Sequence, residues 1–269
     1  MRELRGKRVL ITGGAQGIGL TLAKRFAAAG SEVVLTDIRE ELLEPAVQSL
    51  GETSAPARAY PLDVTDAEAV LAFRDRLHAD AGPLDVLVNN AGVVFGGAFL
   101  DVPLEKHLAT YRVNVDGVVA LTHAFLPDLI SRPDAHVVNI ASASGLIGLP
   151  FGTTYASSKW AAIGFSESLR LELEEQGHRH VHVTTACPSY VSTGLFDGVK
   201  PPFLTRLLTP DRLADQVMRA VRRNRLWVLT PWLVRVTPPL KGILPTRWFD
   251  RISGLLGVYA GMSHWRGRE

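Results

Sequence analysis

The sequence predicts an α/β fold in which helices cover both faces of a single parallel sheet. Short apolar runs recur along the 269 residues, longer amphipathic stretches separate them, and the runs are apolar at successive rather than alternate positions. A strand that is apolar on both faces belongs to a sheet that is covered on both sides, and strands that alternate with helices run parallel. We therefore expect one doubly wound domain.

Six runs are expected to be strands because each is too short to form a buried helix. They are residues 8–12, 32–37, 85–92, 135–142, 181–189 and 226–231, and a short strand at Ala59–Leu62 is expected as the seventh. Apolar residues at intervals of three and four predict helices at Ile18–Ala29, Ala67–Ala79, Thr122–Ile130, Ser157–Glu174 and Asp211–Arg222. The pairs Pro201–Pro202 and Pro238–Pro239 indicate loops.

Composition narrows the classes of function. Lysine and arginine total 29 against 27 acidic residues, and a formal charge of +2 gives no reason to expect nucleic acid as a partner. The one cysteine, Cys187, excludes an intramolecular disulfide and a zinc site built on paired thiolates. Residues 1–7 carry no apolar signal core, and no run reaches the roughly 18 apolar residues of a membrane span. We expect a cytoplasmic protein.

A glycine-rich turn follows the first predicted strand and leads directly into a helix. Its sequence is Thr12-Gly13-Gly14-Ala15-Gln16-Gly17-Ile18-Gly19. Glycines at such a turn permit a tight bend and let the backbone approach a pyrophosphate, while the helix N-terminus faces the anion. A turn without a ligand has the same spacing, but the strand-to-helix context favours a dinucleotide. No Lys-Ser/Thr pair follows, so this is not a Walker loop.

Asp37 ends the second predicted strand, 18 residues after Gly19. A carboxylate there accepts hydrogen bonds from the adenosine ribose hydroxyls and repels a 2′-phosphate. The position therefore favours NAD over NADP, although Arg39 is placed to pair with a phosphate. A helix cap or turn former is the alternative interpretation of Asp37.

Tyr155 and Lys159 lie four residues apart at the start of a predicted helix, so their side chains share one face. An ammonium close to a phenol favours phenolate, so we expect the pKa of Tyr155 to fall from about 10 and Tyr155 to act as general acid or base. Ser142, at a strand end, offers a hydroxyl to the substrate oxygen. Asn114 is placed to complete a proton path through water. Each residue alone has a structural explanation, because Tyr-x-x-x-Lys occurs on many helices and Ser142 also suits a turn.

The motifs taken together are specific. The glycine turn, Asp37, Asp63-Val64, Asn89-Asn90-Ala91-Gly92, Asn114, Ser142 and Tyr155-x-x-x-Lys159 resemble, in order and spacing, the short-chain dehydrogenase/reductase family over about residues 5–225. The resemblance implies a Rossmann fold and hydride transfer between a nicotinamide cofactor and an alcohol carbon, with Tyr155 carrying the proton. We expect a homodimer or homotetramer.

The same resemblance implies a role for each matching residue. Asp63 and Val64 would contact the adenine, Lys159 would also hold the nicotinamide ribose, and Val191 and Thr193 match positions that hold the carboxamide. The expected catalytic residues are Asn114, Ser142, Tyr155 and Lys159. The expected cofactor-binding residues are Gly13, Gln16, Gly17, Ile18, Gly19, Asp37, Asp63, Val64, Asn90, Ala91, Gly92, Tyr155, Lys159, Val191 and Thr193. No metal site is expected.

Three further features of the sequence remain to be interpreted. The family usually has Pro-Gly after the sixth strand, whereas this chain has Pro188-Ser189, which adds a side chain near the nicotinamide. His178, His180 and His182 alternate as metal ligands on one strand face would, but no acidic or thiol ligand lies nearby, and we interpret them as a solvated strand entrance. Cys187, among strand residues, is interpreted as a buried, inert thiol.

Specificity is expected to depend on two segments. Residues 1–225 form the dinucleotide-binding and catalytic part, and residues 226–269 the last strand and a C-terminal extension of the same domain. Residues 189–210 have no periodic pattern, which is typical of a lid or binding loop. The extension holds four of the five tryptophans, and its basic residues heavily outnumber Asp250 and Glu269. We interpret it as a subunit interface or a cap over the pocket, with contact to an anionic membrane surface as the alternative.

The sequence thus predicts an NAD(P)-dependent oxidoreductase, NAD preferred, that interconverts a hydrophobic alcohol and its ketone or aldehyde. The extension loosely resembles that of retinol- and hydroxysteroid-type dehydrogenases. The alternative is a catalytically silent, cofactor-binding regulatory or scaffolding protein.

Overall fold

The computed structural model describes residues 1–51, 55–203 and 205–267, and in this part of the chain seven strands form one parallel sheet. The strands are β1 (Arg8–Thr12), β2 (Glu32–Asp37), β3 (Ala57–Pro61), β4 (Val86–Asn89), β5 (Ala135–Ile140), β6 (Val181–Pro188) and β7 (Trp227–Thr230). Their order is β3-β2-β1-β4-β5-β6-β7. The winding reverses between β1 and β4, which is the switch point at which doubly wound sheets bind ligands. The predicted fold class is confirmed.

Helices connect the strands and cover both faces of the sheet. Those of the described residues are α1 (Gly17–Ala28), α2 (Leu43–Gln48), α3 (Ala67–Asp80), α4 (Leu104–Tyr111), α5 (Gly117–Ser131), α6 (Thr153–Glu175), α7 (Pro210–Arg222), α8 (Trp232–Ile243) and α9 (Thr246–Leu255). Asp66 begins α3 and Thr209 begins α7, each accepting a backbone N–H hydrogen bond with its side chain.

The alternation of side chains along β1 divides the core into two layers. Val9 and Ile11 pack with residues of α1 and α7 on one face of the sheet. Leu10, between them, packs with residues of α3 and α5 on the other. Because successive side chains of a strand point to opposite faces, a strand buried on both faces is apolar throughout. This explains why continuous apolar runs in the sequence predict the positions of the strands.

A single helical stretch runs from α4 through a π-helical turn at Arg112–Asp116 into α5. Among the described residues it alone, Leu104–Ser131, has the length and composition to cross a membrane, and half of its apolar window is buried within the protein. Burial inside the protein is typical of a core helix. We had expected only Thr122–Ile130 of this stretch to be helical.

The C-terminal region contradicts one sequence interpretation. Pro238 and Pro239 lie inside α8 rather than in a loop. The helix continues through both residues, although each lacks an N–H donor, and Val234 anchors it in a buried cluster. Helices α2, α4, α8 and α9 were not predicted, since each is short or interrupted by proline.

Candidate active site

A cavity of about 450 Å³ opens beyond the carboxyl ends of the central strands. The predicted strands 85–92 and 135–142 end earlier than expected, at Asn89 and Ile140, so the residues that follow turn into the cavity. Predicted site residues that line it are Gly13, Gln16, Gly17, Ile18, Asp37, Asp63, Val64, Asn90, Ala91, Gly92, Ser142, Tyr155, Lys159, Val191 and Thr193. Of the predicted set, Gly19 and Asn114 lie behind the wall instead of lining it.

The glycine turn after β1 has no room for larger side chains. Gly13 and Gly17 have positive φ angles of 59° and 55°, a backbone region that favours glycine. A Cβ atom at Gly13 would lie 3.0 Å from the Ala91 Cα atom, and one at Gly19 would overlap the Gly13 carbonyl oxygen. The turn thus packs against the residues that follow β4 on one side and leaves its backbone open to the cavity on the other.

Asn90 fastens this turn to the turn after β4. Its Nδ2 atom donates to the carbonyl oxygens of Thr12 at 2.9 Å and Gly13 at 3.0 Å. The Thr12 hydroxyl accepts in return from the backbone N–H groups of Asn90 and Ala91. The two turns therefore form one rigid cradle for an anionic ligand at the N-terminus of α1.

Asp37 is buried at the end of β2, and its carboxylate faces the same cavity. Oδ2 accepts from the Ala15 N–H at 3.2 Å, and Oδ1 accepts from the Arg39 N–H at 3.1 Å. The Arg39 guanidinium lies 3.7 Å from Oδ1 and is itself partly exposed. The carboxylate is thus fixed by backbone donors before any ligand binds.

Ser142, Tyr155 and Lys159 converge at the centre of the cavity. Ser142 follows β5, and Tyr155 and Lys159 lie in the first turns of α6. The Ser142 hydroxyl lies close enough to the Tyr155 phenol to act against the rise in its pKa. The Lys159 Nζ atom lies 5.8 Å from the centroid of the Tyr155 ring and donates to the Ile140 carbonyl oxygen at 2.9 Å. The predicted grouping of these three side chains is therefore observed.

The acidity of Tyr155 differs from the prediction. Burial raises the pKa of Tyr155 to about 12, and the nearby Ser142 hydroxyl offsets only part of that effect. Burial also lowers the pKa of Lys159 to about 8. The predicted lowering by the ammonium was wrong because desolvation dominates and Lys159 is bonded to Ile140. In this state the phenol holds its proton.

Asn114 lies fully buried in the π-helical turn between α4 and α5. Its Oδ1 atom accepts from the Val93 N–H at 2.9 Å, and its Nδ2 atom donates to the Val93 carbonyl and to the Ser158 hydroxyl. Ser158 in turn donates to the Tyr155 carbonyl at 2.7 Å. These bonds hold the helix that carries Tyr155, which gives the Asn114 side chain a positioning role. Its place on a proton path through water stays a prediction.

The end of the cavity beyond Tyr155 is apolar. The Phe196 ring packs edge-on against Tyr155 and Tyr190, with centroid distances of 5.8 and 5.3 Å. Residues that sequence reasoning did not assign also line this end, namely Ile147, Leu149, Leu195, Phe196, Pro202, Leu233, Val234, Thr237 and Val258. No motif marks them, because they come from two loops, from α8 and from the segment after α9, where the sequence shows little beyond apolar character. Ser189 lines the cavity too.

A roof over this end is formed where residues 256–266 pack on the 189–210 loop. Backbone N–H groups of Phe203 and Arg266 donate to the carbonyls of Leu256 and Asp197. Met262 is buried among the apolar residues of this region, and the Trp265 Nε1 atom donates to the Leu195 carbonyl. This packing agrees with the interpretation of the extension as a cap, and Val258 of this segment lines the cavity.

Two other features noted in the sequence lie apart from the cavity wall. His180 bonds to the Ile130 carbonyl and His182 to Asn224. Within the described residues, no group of three or more His, Cys, Asp or Glu side chains is arranged to hold a metal ion. Cys187 is fully buried, as predicted, and burial raises the pKa of its thiol to about 12.

The model of the short chain dehydrogenase family matches residues 7–202. The chain belongs to this family. It is 33% identical over 261 residues to epidermal retinol dehydrogenase 2 of Mus musculus, covering 96% of this chain and 84% of that protein. It is 31% identical to estradiol 17-beta-dehydrogenase 11 of Rattus norvegicus over 96% of this chain and 86% of that protein.

Solved structures of short-chain dehydrogenases agree with the fold. A short chain dehydrogenase/reductase from Burkholderia phymatum in complex with NAD has a TM-score of 0.82 at 28% identity, covering 90% of this chain and 95% of that one. An alcohol dehydrogenase from Thermococcus sibiricus complexed with 5-hydroxy-NADP has a TM-score of 0.72 at 27% identity, covering 81% and 91%. The short-chain dehydrogenase fold binds nicotinamide cofactors, and the cradle between Gly13, Gly19 and Ala91 fits a dinucleotide because side chains are excluded from it.

Proposed function

We propose that this short-chain dehydrogenase interconverts a hydrophobic alcohol and its ketone or aldehyde, with NAD as the preferred cofactor. The observation that carries the proposal is the convergence of Ser142, Tyr155 and Lys159 between a dinucleotide cradle and an apolar chamber. A proton carrier at this junction serves a reaction in which a proton and a hydride leave the same alcohol.

The chain's own residues supply the proton chemistry. The Tyr155 hydroxyl, which burial keeps protonated, is the acid that protonates a carbonyl oxygen. In the reverse direction the phenolate of Tyr155 is the base that receives the alcohol proton. Ser142 holds the substrate oxygen as charge develops on it. Lys159 supplies a cation beneath the Tyr155 ring, and Asn114 holds the helix through Ser158. The nicotinamide, when bound, supplies or accepts the hydride.

The proposal of NAD over NADP rests on Asp37. Its carboxylate is fixed by two backbone N–H groups at the end of β2, where a ribose hydroxyl is an acceptable partner and a phosphate dianion is repelled. The Arg39 guanidinium lies close enough to Asp37 for the carboxylate to neutralise part of its charge, which weakens the attraction of Arg39 for a phosphate.

Other cofactor contacts are proposed from the lining of the cavity. Asp63 and Val64 are assigned to the adenine, Asn90, Ala91 and Gly92 to the cofactor's inner face, and Val191 and Thr193 to the carboxamide. Gln16, Gly17 and Ile18 line the pyrophosphate end, with Gly13 and Gly19 shaping the turn.

The substrate is proposed to be hydrophobic because the chamber beyond Tyr155 is apolar. Phe196, Leu149 and Val258 are representative of its lining. The relatives named as retinol and estradiol dehydrogenases act, by their names, on lipophilic alcohols, which supports the same class here.

We also propose a cytoplasmic homo-oligomer. On α4, Leu104, Leu108 and Tyr111 follow a spacing of four and three and are exposed, as is Val119 on α5. Apolar side chains that share a helix face and remain exposed are typical of a subunit interface.

A turnover assay with NAD and NADP across lipophilic alcohols of graded size tests the function. We expect NAD-linked turnover that rises with the apolar area of the alcohol, and its abolition in Tyr155→Phe with NADH binding retained. Turnover retained by Tyr155→Phe contradicts the assigned role. NADH binding without turnover of any alcohol or ketone in the panel supports the regulatory or scaffolding alternative instead.

A further inference from the structure

Helix α9 presents its large apolar side chains to solvent. Trp248, Ile252 and Leu255 are spaced by four and three residues, which places them on one helix face. Trp248 is 59% exposed and Leu255 is 86% exposed. The adjoining face of the helix is buried at Phe249 and Ser253. A surface helix of a globular protein normally turns its apolar side chains inward, whereas three of the four large ones on α9 face solvent.

The same apolar character continues on neighbouring segments. Trp232 is exposed at the start of α8. Ile243 is 80% exposed at the end of the same helix. Phe203 is exposed beside the end of α9, where its N–H donates to the Leu256 carbonyl at 2.8 Å. We call Phe203, Trp232, Ile243, Trp248, Ile252 and Leu255 the outer apolar face.

Cations accompany this face. Residues 226–267 contain five Arg or Lys residues and one acidic residue, Asp250. Asp250 accepts a hydrogen bond from Tyr259, whereas in the described part of the chain neither Arg247 nor Arg251 is paired with a carboxylate. The Arg251 guanidinium lies 5.7 Å from the Trp248 ring centroid. Positive charge therefore borders the apolar stripe of α9.

The outer apolar face adjoins the substrate end of the cavity. Leu233 lines the cavity directly after exposed Trp232, Pro202 directly before Phe203, and Val258 three residues after Leu255. Each of these segments thus has one side in the chamber wall and one side in solvent.

We propose that the outer apolar face docks onto a lipid bilayer that carries anionic headgroups, with α9 lying in the plane of the interface. Trp side chains at the headgroup level, apolar side chains below it and Arg side chains that reach the phosphates are the composition that such helices have. Between copies of the chain, in contrast, charged residues are depleted from the centre of an interface. The exposed face of α4 and α5 is a separate surface that fits that purpose.

Docking is independent of the proposed function, since it concerns the surface and not the reaction. If both hold, a lipophilic alcohol reaches the chamber through the segments that contact the bilayer. The extension then has two parts: residues 256–266 form the roof, and α9 with the outer side of α8 forms the membrane contact.

Flotation with vesicles tests the docking. The full chain is mixed with vesicles of phosphatidylcholine alone and of phosphatidylcholine with phosphatidylserine, at low and high salt. We expect binding to the anionic vesicles that weakens with salt. Trp248→Gln with Leu255→Gln should reduce partitioning at least about tenfold, because the bound protein loses two apolar side chains that it would bury in the bilayer. Arg247→Gln with Arg251→Gln should reduce it about fivefold per arginine at low salt.

Matched control variants remove the same number of apolar or cationic side chains from other faces of the protein. Leu71→Gln with Leu226→Gln removes two exposed leucines, and Arg222→Gln with Arg223→Gln removes two exposed arginines. Both should bind as the unmodified protein does, and thermal unfolding checks that all variants remain folded. The proposal is overturned if the unmodified protein ignores anionic vesicles or if the controls lose as much binding. It is also overturned if Trp248→Gln with Leu255→Gln leaves vesicle binding intact and dissociates an oligomer in sedimentation, which would make this face a contact between copies.

Discussion

The ammonium of Lys159 donates a hydrogen bond to the carbonyl oxygen of Ile140 at 2.9 Å, across the end of β5. This bond holds a cation inside the protein at a point where no carboxylate forms an ion pair with it within the described residues. Burial accordingly lowers the pKa of Lys159 to about 8. A charge kept in this way costs stability.

Replacing Lys159 by methionine should stabilise the fold at neutral pH while abolishing turnover. The unfolded chain binds the lysine proton more tightly than the folded one, so the stability deficit is complete below pH 8 and disappears as pH rises towards 10.5. The lowered pKa corresponds to a gain of about 3 kcal/mol at pH 7, of which the lost hydrogen bond offsets about 1 kcal/mol. Urea unfolding of both proteins from pH 7 to pH 10 measures it, and a difference that does not shrink with pH contradicts the assignment.

Ser142→Ala should lower kcat/KM by about 100- to 10,000-fold without loss of cofactor binding, because it removes the hydroxyl that lies beside Tyr155 and holds the substrate oxygen. Ser144→Ala is the matched control. Ser144 is two residues away, and its buried hydroxyl has no hydrogen-bond partner in the described part of the chain. Steady-state kinetics and a cofactor fluorescence titration distinguish the two, and equal losses in both variants would refute a specific role for Ser142.

Asp37→Ser should shift cofactor preference towards NADP. In the unmodified protein the Arg39 guanidinium lies 3.7 Å from the Asp37 carboxylate. Without that carboxylate, Arg39 is free to pair with a 2′-phosphate. We expect the ratio of kcat/KM for NAD to that for NADP to fall at least about tenfold, which corresponds to about 1.4 kcal/mol. Glu41→Ser, which removes a nearby exposed carboxylate, should leave the ratio unchanged.

Gly261→Ala should open the roof. A Cβ atom there would overlap the hydroxyl of Tyr190, whose ring packs on Phe196 in the chamber wall. We expect a loss of about 1–3 kcal/mol in unfolding free energy and a rise in KM for large alcohols that exceeds the rise for small ones. Gly164→Ala in α6 is the control, because a Cβ atom at Gly164 meets nothing within 4 Å and should stabilise the helix slightly. A uniform change in KM across alcohol sizes would show that Tyr190 does not shape the chamber.

The sequence was sufficient for the parts of the molecule that are governed by local patterns. The strands could be located because both of their faces are buried, and Ser142, Tyr155 and Lys159 because strand ends and helix faces place them together. The acidity of Tyr155 could not be predicted, since it depends on desolvation by residues distant in sequence. For the same reason the sequence did not reveal that Asn114 positions the helix of Tyr155 through its hydrogen bonds with Val93 and Ser158. Those bonds depend on the π-helical turn.

The roof over the chamber also has a bearing on how new specificities could be made. Main-chain groups carry much of its closure, as the bonds from Phe203 to Leu256 and from Arg266 to Asp197 illustrate. Hydrogen bonds of that kind survive a change of side chain. The wall residues Leu195, Phe196 and Val258 can therefore be randomised in a library while the cover stays in place, which makes this end of the molecule a favourable scaffold for redesigning alcohol selectivity.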